Sequence, residues 1–472
     1  PCPGFTSVTS TPIARPDVTT GAEGTAMLEI IHDIAPGADL FFGSAEGLTD
    51  LEHRRARRCL TEVVDIIADD IAFFNAGSYD GTSPVSLEST ASVISGVVNF
   101  ISVGNQARVH YQGIYADTDD DSLHEFDASL GLPFNNNSGE TLNIGILPLE
   151  IVTIFLQWND PFGGSNNDYD LLITAPADPD DLLAAPVLFA SQNQQNGDDN
   201  PTEAINIING ITGVTVGIVI LNFDANVPKE FDMFVIFNNI FGAEGFLDEF
   251  IVAQSSVPNN GDADLVLSIG SIGLEPGTPL VQGIDEIRSY SSQGPTNDGR
   301  IKPELVAPDG VSVTGAGGFS TPFFGTSAAA PHAAGVAALL LEAEENLSMA
   351  KSGSILPQTQ SLSPSEISNI LRDSAVDLGT PGADNTFGSG RIDAFVAVQS
   401  VAQQPTPTPS PSPSPTPTTQ PPPTDQDGDG SGGCSISPTA QVGTAVINIL
   451  IPLFSALVIA LRIFRKKTLI KL

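Results

Sequence analysis

The chain of 472 residues has few cysteines and few basic residues. Three cysteines, Cys2, Cys59 and Cys434, are too few for a disulfide framework, although a Cys2–Cys59 bridge is possible in an oxidising compartment. Only 18 lysines and arginines stand against 56 aspartates and glutamates, so the net charge is −38. This composition argues against nucleic-acid binding, which needs a basic surface. It favours a soluble extracellular protein whose carboxylates keep the surface hydrated.

Apolar segments with helical and strand-like spacing alternate over the first 110 residues. The spacing predicts helices and strands in alternation, with helices over Glu23–Ala38, Leu48–Ala68 and Leu87–Val97 and strands over Asp39–Ser44, Asp70–Asn75 and Val98–Val103. Such alternation indicates an α/β fold with a parallel, doubly wound sheet. The chain begins without methionine inside a loop-like segment, which leads us to expect that part of the first domain precedes Pro1.

The most specific motif is Gly325-Thr-Ser-Ala-Ala-Ala-Pro-His-Ala-Ala-Gly335. The almost wholly apolar run that follows Ser327 predicts a buried helix with this serine at its positive N-terminal end, where a developing oxyanion is favoured. An isolated Gly-Thr-Ser would indicate only a serine that caps a core helix. The full pattern resembles the serine motif of the subtilisin-like serine proteases (subtilases). The resemblance implies that Ser327 is a catalytic nucleophile.

A second segment resembles the histidine helix of the subtilases, with a glutamate at the histidine position. It reads Glu23-Gly-Thr-Ala-Met27 and is followed by Ala35-Pro-Gly-Ala38. The related sedolisins are similar in using a glutamate there, but their helix aspartate, four residues on, would fall at Met27. A carboxylate with a pKa of about 4.3 is a weak base near neutrality, so Glu23 would work best in acid or with a pKa raised by desolvation.

Other interpretations of this helix stay open. A glutamate at a helix N-terminus is also favoured by the helix dipole without any catalytic role. His32 is a further candidate base, but it lies too far along the helix from the end that carries Glu23. The family's catalytic aspartate has no counterpart, since Asp17 lies only six positions before Glu23. We therefore expect that aspartate to lie outside this chain and the chain as given to be inactive.

The segment Val98-Asn-Phe-Ile-Ser-Val-Gly-Asn105 resembles the subtilase strand and turn that carry the oxyanion-hole asparagine. The resemblance implies that the Asn105 amide donates to the tetrahedral intermediate. The alternative is an asparagine that only tolerates a left-handed turn. Further segments resemble subtilases in order and spacing: Ser291-Ser-Gln-Gly-Pro295, Lys302-Pro-Glu-Leu-Val-Ala-Pro-Asp309 and Phe387-Gly-Ser-Gly-Arg-Ile-Asp393.

About 150 residues interrupt the subtilase-like pattern between Asn105 and the next expected core strand, Asp264–Ile272. Six strand-like runs within them predict an antiparallel β-sandwich: Thr141–Ile146, Ile151–Trp158, Tyr169–Thr174, Val187–Ala190, Val214–Asn222 and Phe231–Phe237. No cofactor is expected. Two acidic sets are possible calcium ligands, although solvated turn residues are the simpler interpretation: Asp160, Asp168 and Asp170, or Asp117, Asp119 and Asp121.

The C-terminal region has a different composition from the rest of the chain. Residues 404–424 alternate proline with threonine and serine, which predicts a stiff extended stalk. Residues 445–461 are apolar enough to predict a transmembrane helix, and the basic residues from Arg462 onwards predict that the C-terminus stays inside. Gly432-Gly-Cys434 with this segment resembles bacterial GlyGly-type sorting signals, which implies processing by a sorting protease near Gly433–Cys434.

Together these features predict a surface-attached, extracellular subtilisin-like serine endopeptidase that acts on protein or peptide substrates. The candidate site residues are Ser327, Asn105 and Glu23. The alternative is a pseudoprotease that displays its β-sandwich as a binding module. The predicted domains are a first protease part (1–110), the inserted β-sandwich (111–258), a second protease part (259–402), the stalk and spacer (403–433) and the sorting signal with its helix (434–472).

Overall fold

The computed structural model describes residues 7–8, 23–44, 49–131, 139–175, 185–238, 245–273, 285–352, 362–403 and 457–462. The described strands are β1 (Ser7–Val8), β2 (Asp39–Ser44), β3 (Ile66–Asp69), β4 (Val98–Ser102), β5 (His110–Ile114), β6 (Leu142–Ile146), β7 (Ile151–Trp158), β8 (Asp168–Thr174), β9 (Val187–Ser191), β10 (Thr202–Ile208), β11 (Val214–Asp224), β12 (Glu230–Asn238), β13 (Leu267–Ile272), β14 (Leu305–Pro308) and β15 (Leu457–Arg462). The described helices are α1 (Glu23–Ile34), α2 (Asp50–Thr61), α3 (Pro84–Ile94), α4 (Phe126–Ser129), α5 (Thr326–Ser352), α6 (Pro364–Asp373) and α7 (Ala394–Gln403).

The largest sheet has the strand order β1-β2-β15-β3-β4-β13-β14. Strands β3, β4, β13 and β14 are parallel, while β15 pairs antiparallel with both β2 and β3. Every residue of β3, β4 and β13 is buried, as expected for parallel strands covered on both faces. The prediction of an α/β fold with a parallel sheet is confirmed. The carboxyl ends of β3 and β4 lead into the segments that carry Asp70 and Asn105.

Helix α5 lies in the core of this part, against the sheet and against α1. Its buried surface consists largely of alanines, whose small side chains let the neighbouring backbones approach closely. At Gly335 a Cβ atom would lie only 2.9 Å from Cβ of Ile34 in α1, so this contact requires glycine. The close packing fixes the first residues of α1 relative to the first residues of α5. Those residues include Glu23 and Ser327.

The remaining eight strands described form two antiparallel sheets, with the orders β10-β7-β12-β5 and β6-β11-β8-β9. Residues of both sheets share one hydrophobic cluster, in which Leu142 and Ile144 of β6 lie with Ile154 and Leu156 of β7. Trp158 is buried in this cluster. This part touches the other part through the loop after β3, where the Asn75 amide donates to the carbonyl oxygens of two residues in β7 and β10.

Several predicted element bounds were wrong around the first parallel strand. The helix predicted over Leu48–Ala68 ends at Thr61, and its last predicted residues form β3. Residues Asp70–Asn75, predicted as a strand, are a loop. Short apolar runs are compatible with the periodicity of a helix and with that of a strand. The run Val-Val-Asp-Ile-Ile-Ala fits one face of a helix as well as a buried strand. As a result, Asp70 was predicted as the first residue of a strand, whereas it directly follows the last residue of β3.

Other elements match the predictions more closely. Six strands of the β-rich part were predicted to within two residues at each end, whereas β5 and β10 were missed. Helix α6 begins with a reciprocal capping box formed by Ser363 and Glu366. Cys59 in α2 is disulfide-bonded, while Cys2 and Cys434 lie outside the described residues. The predicted domain boundaries stay predictions.

The C-terminal apolar segment differs from its prediction where it is described. Residues Leu457–Arg462 form β15 rather than part of the predicted transmembrane helix, and residues 445–456 lie outside the described residues, as do the stalk and Gly433–Cys434. A six-residue apolar run of Leu, Val, Ile and Ala is compatible with a buried strand as well as with a helix. In the described part of the chain, no helix combines the length and apolar character needed to cross a bilayer.

Candidate active site

Ser327 is the second residue of α5 and its side chain is only slightly exposed, at 8%. The turn before it depends on Gly325, whose φ of +111° favours glycine. The Gly325 N–H donates to Oδ2 of Asp309 at 2.9 Å, and Asp309 is held by Arg288 at 2.6 Å. Asp309 thereby fixes the turn that presents Ser327.

Asn105 lies beside this turn, three residues after the end of β4. Its Oδ1 accepts hydrogen bonds from both the N–H and the hydroxyl of Thr326, each at 3.0 Å. These two bonds orient the amide, so that Nδ2 faces the space next to Gly325 and Ser327. A Cβ atom at Gly325 would lie 3.1 Å from Nδ2 and 3.6 Å from Oγ of Ser327. The structure therefore brings the two predicted site residues Asn105 and Ser327 together, with an amide donor directed at the space beside the hydroxyl.

Glu23 is the first residue of α1 and interacts with the Ser327 side chain. Burial raises the pKa of Glu23 well above its usual value, and the charge of Asp70 raises it further, while the contact with Ser327 opposes the rise. The predicted site residues Glu23, Asn105 and Ser327 are thus all in one place. The condition stated for Glu23 as a base, a pKa raised by desolvation, is met.

Asp70 is the residue that sequence reasoning missed. It follows β3 directly, and its side chain interacts with both Glu23 and Ser327. Burial raises the pKa of Asp70 to about 6, although contacts with Ser102 and Ser327 oppose this rise.

Glu23 and Asp70 form a pair of neighbouring carboxyl groups whose pKa values are both raised. Two carboxylates that share a site resist double ionisation, so one proton is retained by the pair over part of the pH range. Near neutral pH, the pair with one proton and one negative charge presents a carboxylate to the Ser327 hydroxyl. Such a pair can accept the proton of a serine.

A signal for Asp70 was present in the sequence. Ligands and reacting groups of parallel α/β sheets lie at the carboxyl ends of the strands. The run Ile66-Ile-Ala-Asp-Asp70 ends in two adjacent carboxylates, and only its assignment to a helix hid them. His32, by contrast, lies nine residues after Glu23 in α1, roughly 13 Å along the helix axis at 1.5 Å per residue. Met27, the position of the sedolisin aspartate, is fully buried.

The first of the two predicted acidic sets, Asp160, Asp168 and Asp170, does not form a single site. Asp160 is paired with Lys229 and also accepts from Ser165, while the Asp170 carboxylate accepts from Gln192. Among the described residues, clusters with the geometry to hold a metal ion arise only around Asp117, Asp119 and Asp121.

Comparisons with known proteins place these observations in context. The chain is similar to the CspB protease of Clostridium perfringens, with 16% identity over 76% of this chain and 72% of that chain, at a TM-score of 0.49. It is also similar to the serine protease MycP1, described as an essential component of the type VII (ESX-1) secretion system, with 16% identity over 74% of this chain and a TM-score of 0.28. A protease from Pseudoalteromonas arctica matches at 25% identity over 31% of this chain with a TM-score of 0.21. This chain spans 57% of the length of MycP1 and 40% of that of the Pseudoalteromonas protease.

A family model gives a match in the second half of the chain. The model described as the subtilase family matches residues 238–390, which include the Ser327 motif but not Glu23, Asp70 or Asn105. The match relates this chain to the subtilase family of serine proteases.

Proposed function

We propose that this chain is a serine endopeptidase in which Ser327 is the nucleophile and the Glu23–Asp70 pair is the general base. The observation that carries this proposal is the position of the Ser327 hydroxyl between two carboxyl groups of raised pKa and the amide of Asn105. The subtilase match over residues 238–390 supports a protein or peptide substrate.

The residues have distinct roles in the proposed reaction. Oγ of Ser327 attacks the carbonyl carbon of the scissile peptide bond, and its proton passes to the ionised carboxylate of the pair. The carbonyl oxygen becomes an oxyanion that accepts a hydrogen bond from Nδ2 of Asn105. The pair returns the proton to the leaving amine as the C–N bond breaks. Water then hydrolyses the acyl-enzyme, with the pair as base.

The pair can replace the missing histidine because of its pKa. An unperturbed carboxylate is almost fully ionised and weakly basic at pH 7, whereas the Asp70 value of about 6 is close to that of imidazole, about 6.5. A base is most effective when its pKa lies near the working pH. The aspartate that we expected outside the chain is not needed in this mechanism.

The proposal is tested by labelling the full chain with a fluorophosphonate probe between pH 4 and pH 8. We expect labelling of Ser327 to be slow at pH 5, to increase as the pH rises through about 6, and to level off above about pH 7. The sign follows from the role of a base, which acts only in its deprotonated form. Ser327→Ala should abolish the labelling, and the control Ser95→Ala, at an exposed serine that ends α3, should not change it.

Two results would reject the proposal. Labelling that persists in Ser327→Ala would show that another group reacts. Absence of labelling and of casein hydrolysis at every pH would favour the alternative function, a pseudoprotease that acts as a binding protein. The glutamate at the histidine position is the observation that favours that alternative.

We also propose that residues 111–258 form an inserted β-sandwich and that the protein is extracellular and attached to the cell surface. The proline-rich stalk, the Gly432-Gly-Cys434 sequence and the basic C-terminus support surface attachment and processing by a sorting protease. Residues 457–462 belong to β15 in this structure, so membrane insertion of residues 445–461 requires that strand to leave the sheet. Protease digestion of intact cells tests the location, since only an external stalk is cleaved without lysis.

A further inference from the structure

A second group of carboxylates lies in the β-rich part, away from Ser327. We call it the acidic cluster, and it consists of Asp117, Asp119, Asp121, Glu125 and Glu140. Four members lie between β5 and α4, and the fifth lies just before β6. Oxygen atoms of the three aspartates lie within 4.8 Å of one another, and so do those of Asp119, Glu125 and Glu140. Asp119 therefore joins the two sets.

Two carboxylate oxygens of this cluster are buried and have no hydrogen-bond partner in the described part of the chain. Glu125 and Glu140 are only 2% and 1% exposed, and Oε2 of each forms no hydrogen bond with any described residue. The other oxygen of Glu125 accepts from the N–H and the hydroxyl of Thr118, at 2.9 Å and 2.6 Å. An ionised carboxylate that is buried without a partner is strongly unfavourable. A cation bound at these two oxygens would offset this cost.

Among the described residues, no lysine or arginine forms an ion pair with any member of the acidic cluster. The result is mutual repulsion: burial, together with the neighbouring charges of Asp121 and Asp119, raises the pKa of Glu140 to about 7. A divalent cation would remove both the burial penalty and the repulsion.

We propose that the acidic cluster binds one calcium ion. All of its candidate ligands are carboxylate oxygens, which favours a hard cation over zinc or copper. Five carboxylates from an irregular loop and a second segment suit the six to eight ligands and flexible geometry of calcium better than the strict octahedron of magnesium. Because β5 and β6 belong to different sheets, the ion would link the two sheets of the β-rich part.

The proposal is tested with the full chain and terbium as a luminescent substitute for calcium. The Tyr115 hydroxyl donates to Oδ2 of Asp117 at 3.2 Å, so this ring would sensitise a bound terbium ion. We expect sensitised emission that calcium displaces with a stoichiometry of one. Tyr115→Phe should lower the emission but keep calcium binding, measured by calorimetry.

Glu140→Gln removes one charge and should weaken calcium binding at least about tenfold, since affinity follows the number of charged ligands. Asp198→Asn, at an exposed acidic residue in the loop before β10, is the charge-matched control and should bind calcium as the original protein does. Far-UV circular dichroism in EDTA shows whether each variant is folded. Equal calcium affinity in Glu140→Gln and Asp198→Asn, or no saturable calcium binding by the original protein, would overturn the proposal.

Discussion

Two groups of crowded carboxylates occur in this chain, and their surroundings differ. The Glu23–Asp70 pair is partly exposed and interacts with a hydroxyl group, that of Ser327. The acidic cluster contains two almost fully buried glutamates, each with one oxygen that has no hydrogen-bond partner among the described residues. The pKa values of Glu23 and Asp70 in the pair and of Glu140 in the cluster are raised. The comparison suggests that repulsion between carboxylates is relieved in two ways. The Glu23–Asp70 pair shares a proton beside the serine, and the acidic cluster in the β-rich part binds a cation.

Asp69 shows what a neutralised carboxylate looks like in the same fold. It precedes Asp70 but lies on the opposite side of the chain, where it contacts Arg57 and accepts from His53 at 2.7 Å and from Asn260 at 3.1 Å. Burial alone would raise the pKa of Asp69, but the charges of His53 and Arg57 hold it well below its usual range. Adjacent carboxylates thus have opposite properties because Asp69 has Arg57 and His53 as partners, whereas Asp70 interacts with Glu23 and Ser327.

The largest expected effect comes from changing the pair itself. Glu23→Gln or Asp70→Asn should each lower kcat/KM by about 10²–10⁴, the usual contribution of a general base. The double variant should be little worse than either single one, because groups that act as a unit are not additive. Steady-state hydrolysis of a peptide substrate by the full chain measures these effects.

Asp33→Asn provides the matched control, since Asp33 is an exposed acidic residue of the same helix α1. It should leave kcat/KM unchanged. If Asp70→Asn also left it unchanged while Glu23→Gln abolished activity, Glu23 alone would be the base and Asp70 only a neighbour. The hypothesis that Glu23 and Asp70 share a proton would then be rejected.

The sequence predicted the part of the site that depends on local motifs. Ser327 and Asn105 were found because short patterns around them resemble a known family, and Glu23 because the pattern around it survives. Asp70 could not be found in this way, since its role depends on where β3 ends in space relative to α1 and α5. A shift of one element boundary, from residue 68 to residue 61, was enough to hide it.

The same limit applies to the acidic cluster and to the fold. The spacing of Asp117, Asp119 and Asp121 was visible in the sequence, but Glu140 comes from another segment and joins them only through tertiary packing. Strand β10 was missed since its pattern includes polar residues at buried positions, such as Glu203. Strand β15 could not be predicted because its pairing partners, β2 and β3, lie about 400 residues earlier in the chain.

The smallest expected effects are changes in Tm, and they should differ between the Glu23–Asp70 pair and the acidic cluster. Carboxyl groups whose pKa is raised in the folded state retain protons that the unfolded chain loses, so they lower the stability as the pH rises from about 4 through their folded pKa values. Glu23→Gln removes one of the repelling groups and should therefore raise Tm at pH 8 by roughly 2 °C, with a smaller effect at pH 5. This increase should be the same in calcium and in EDTA.

Glu140→Gln should behave differently, because we propose that the acidic cluster to which Glu140 belongs binds a calcium ion. In EDTA the substitution relieves repulsion and should raise Tm by a similar amount, whereas in millimolar calcium it removes a ligand and should lower Tm relative to the original protein. Differential scanning calorimetry in the two buffers measures all four differences. If Glu140→Gln changed Tm in the same direction in both buffers, calcium would not stabilise the acidic cluster. The proposed difference between the two groups of carboxylates would then be wrong.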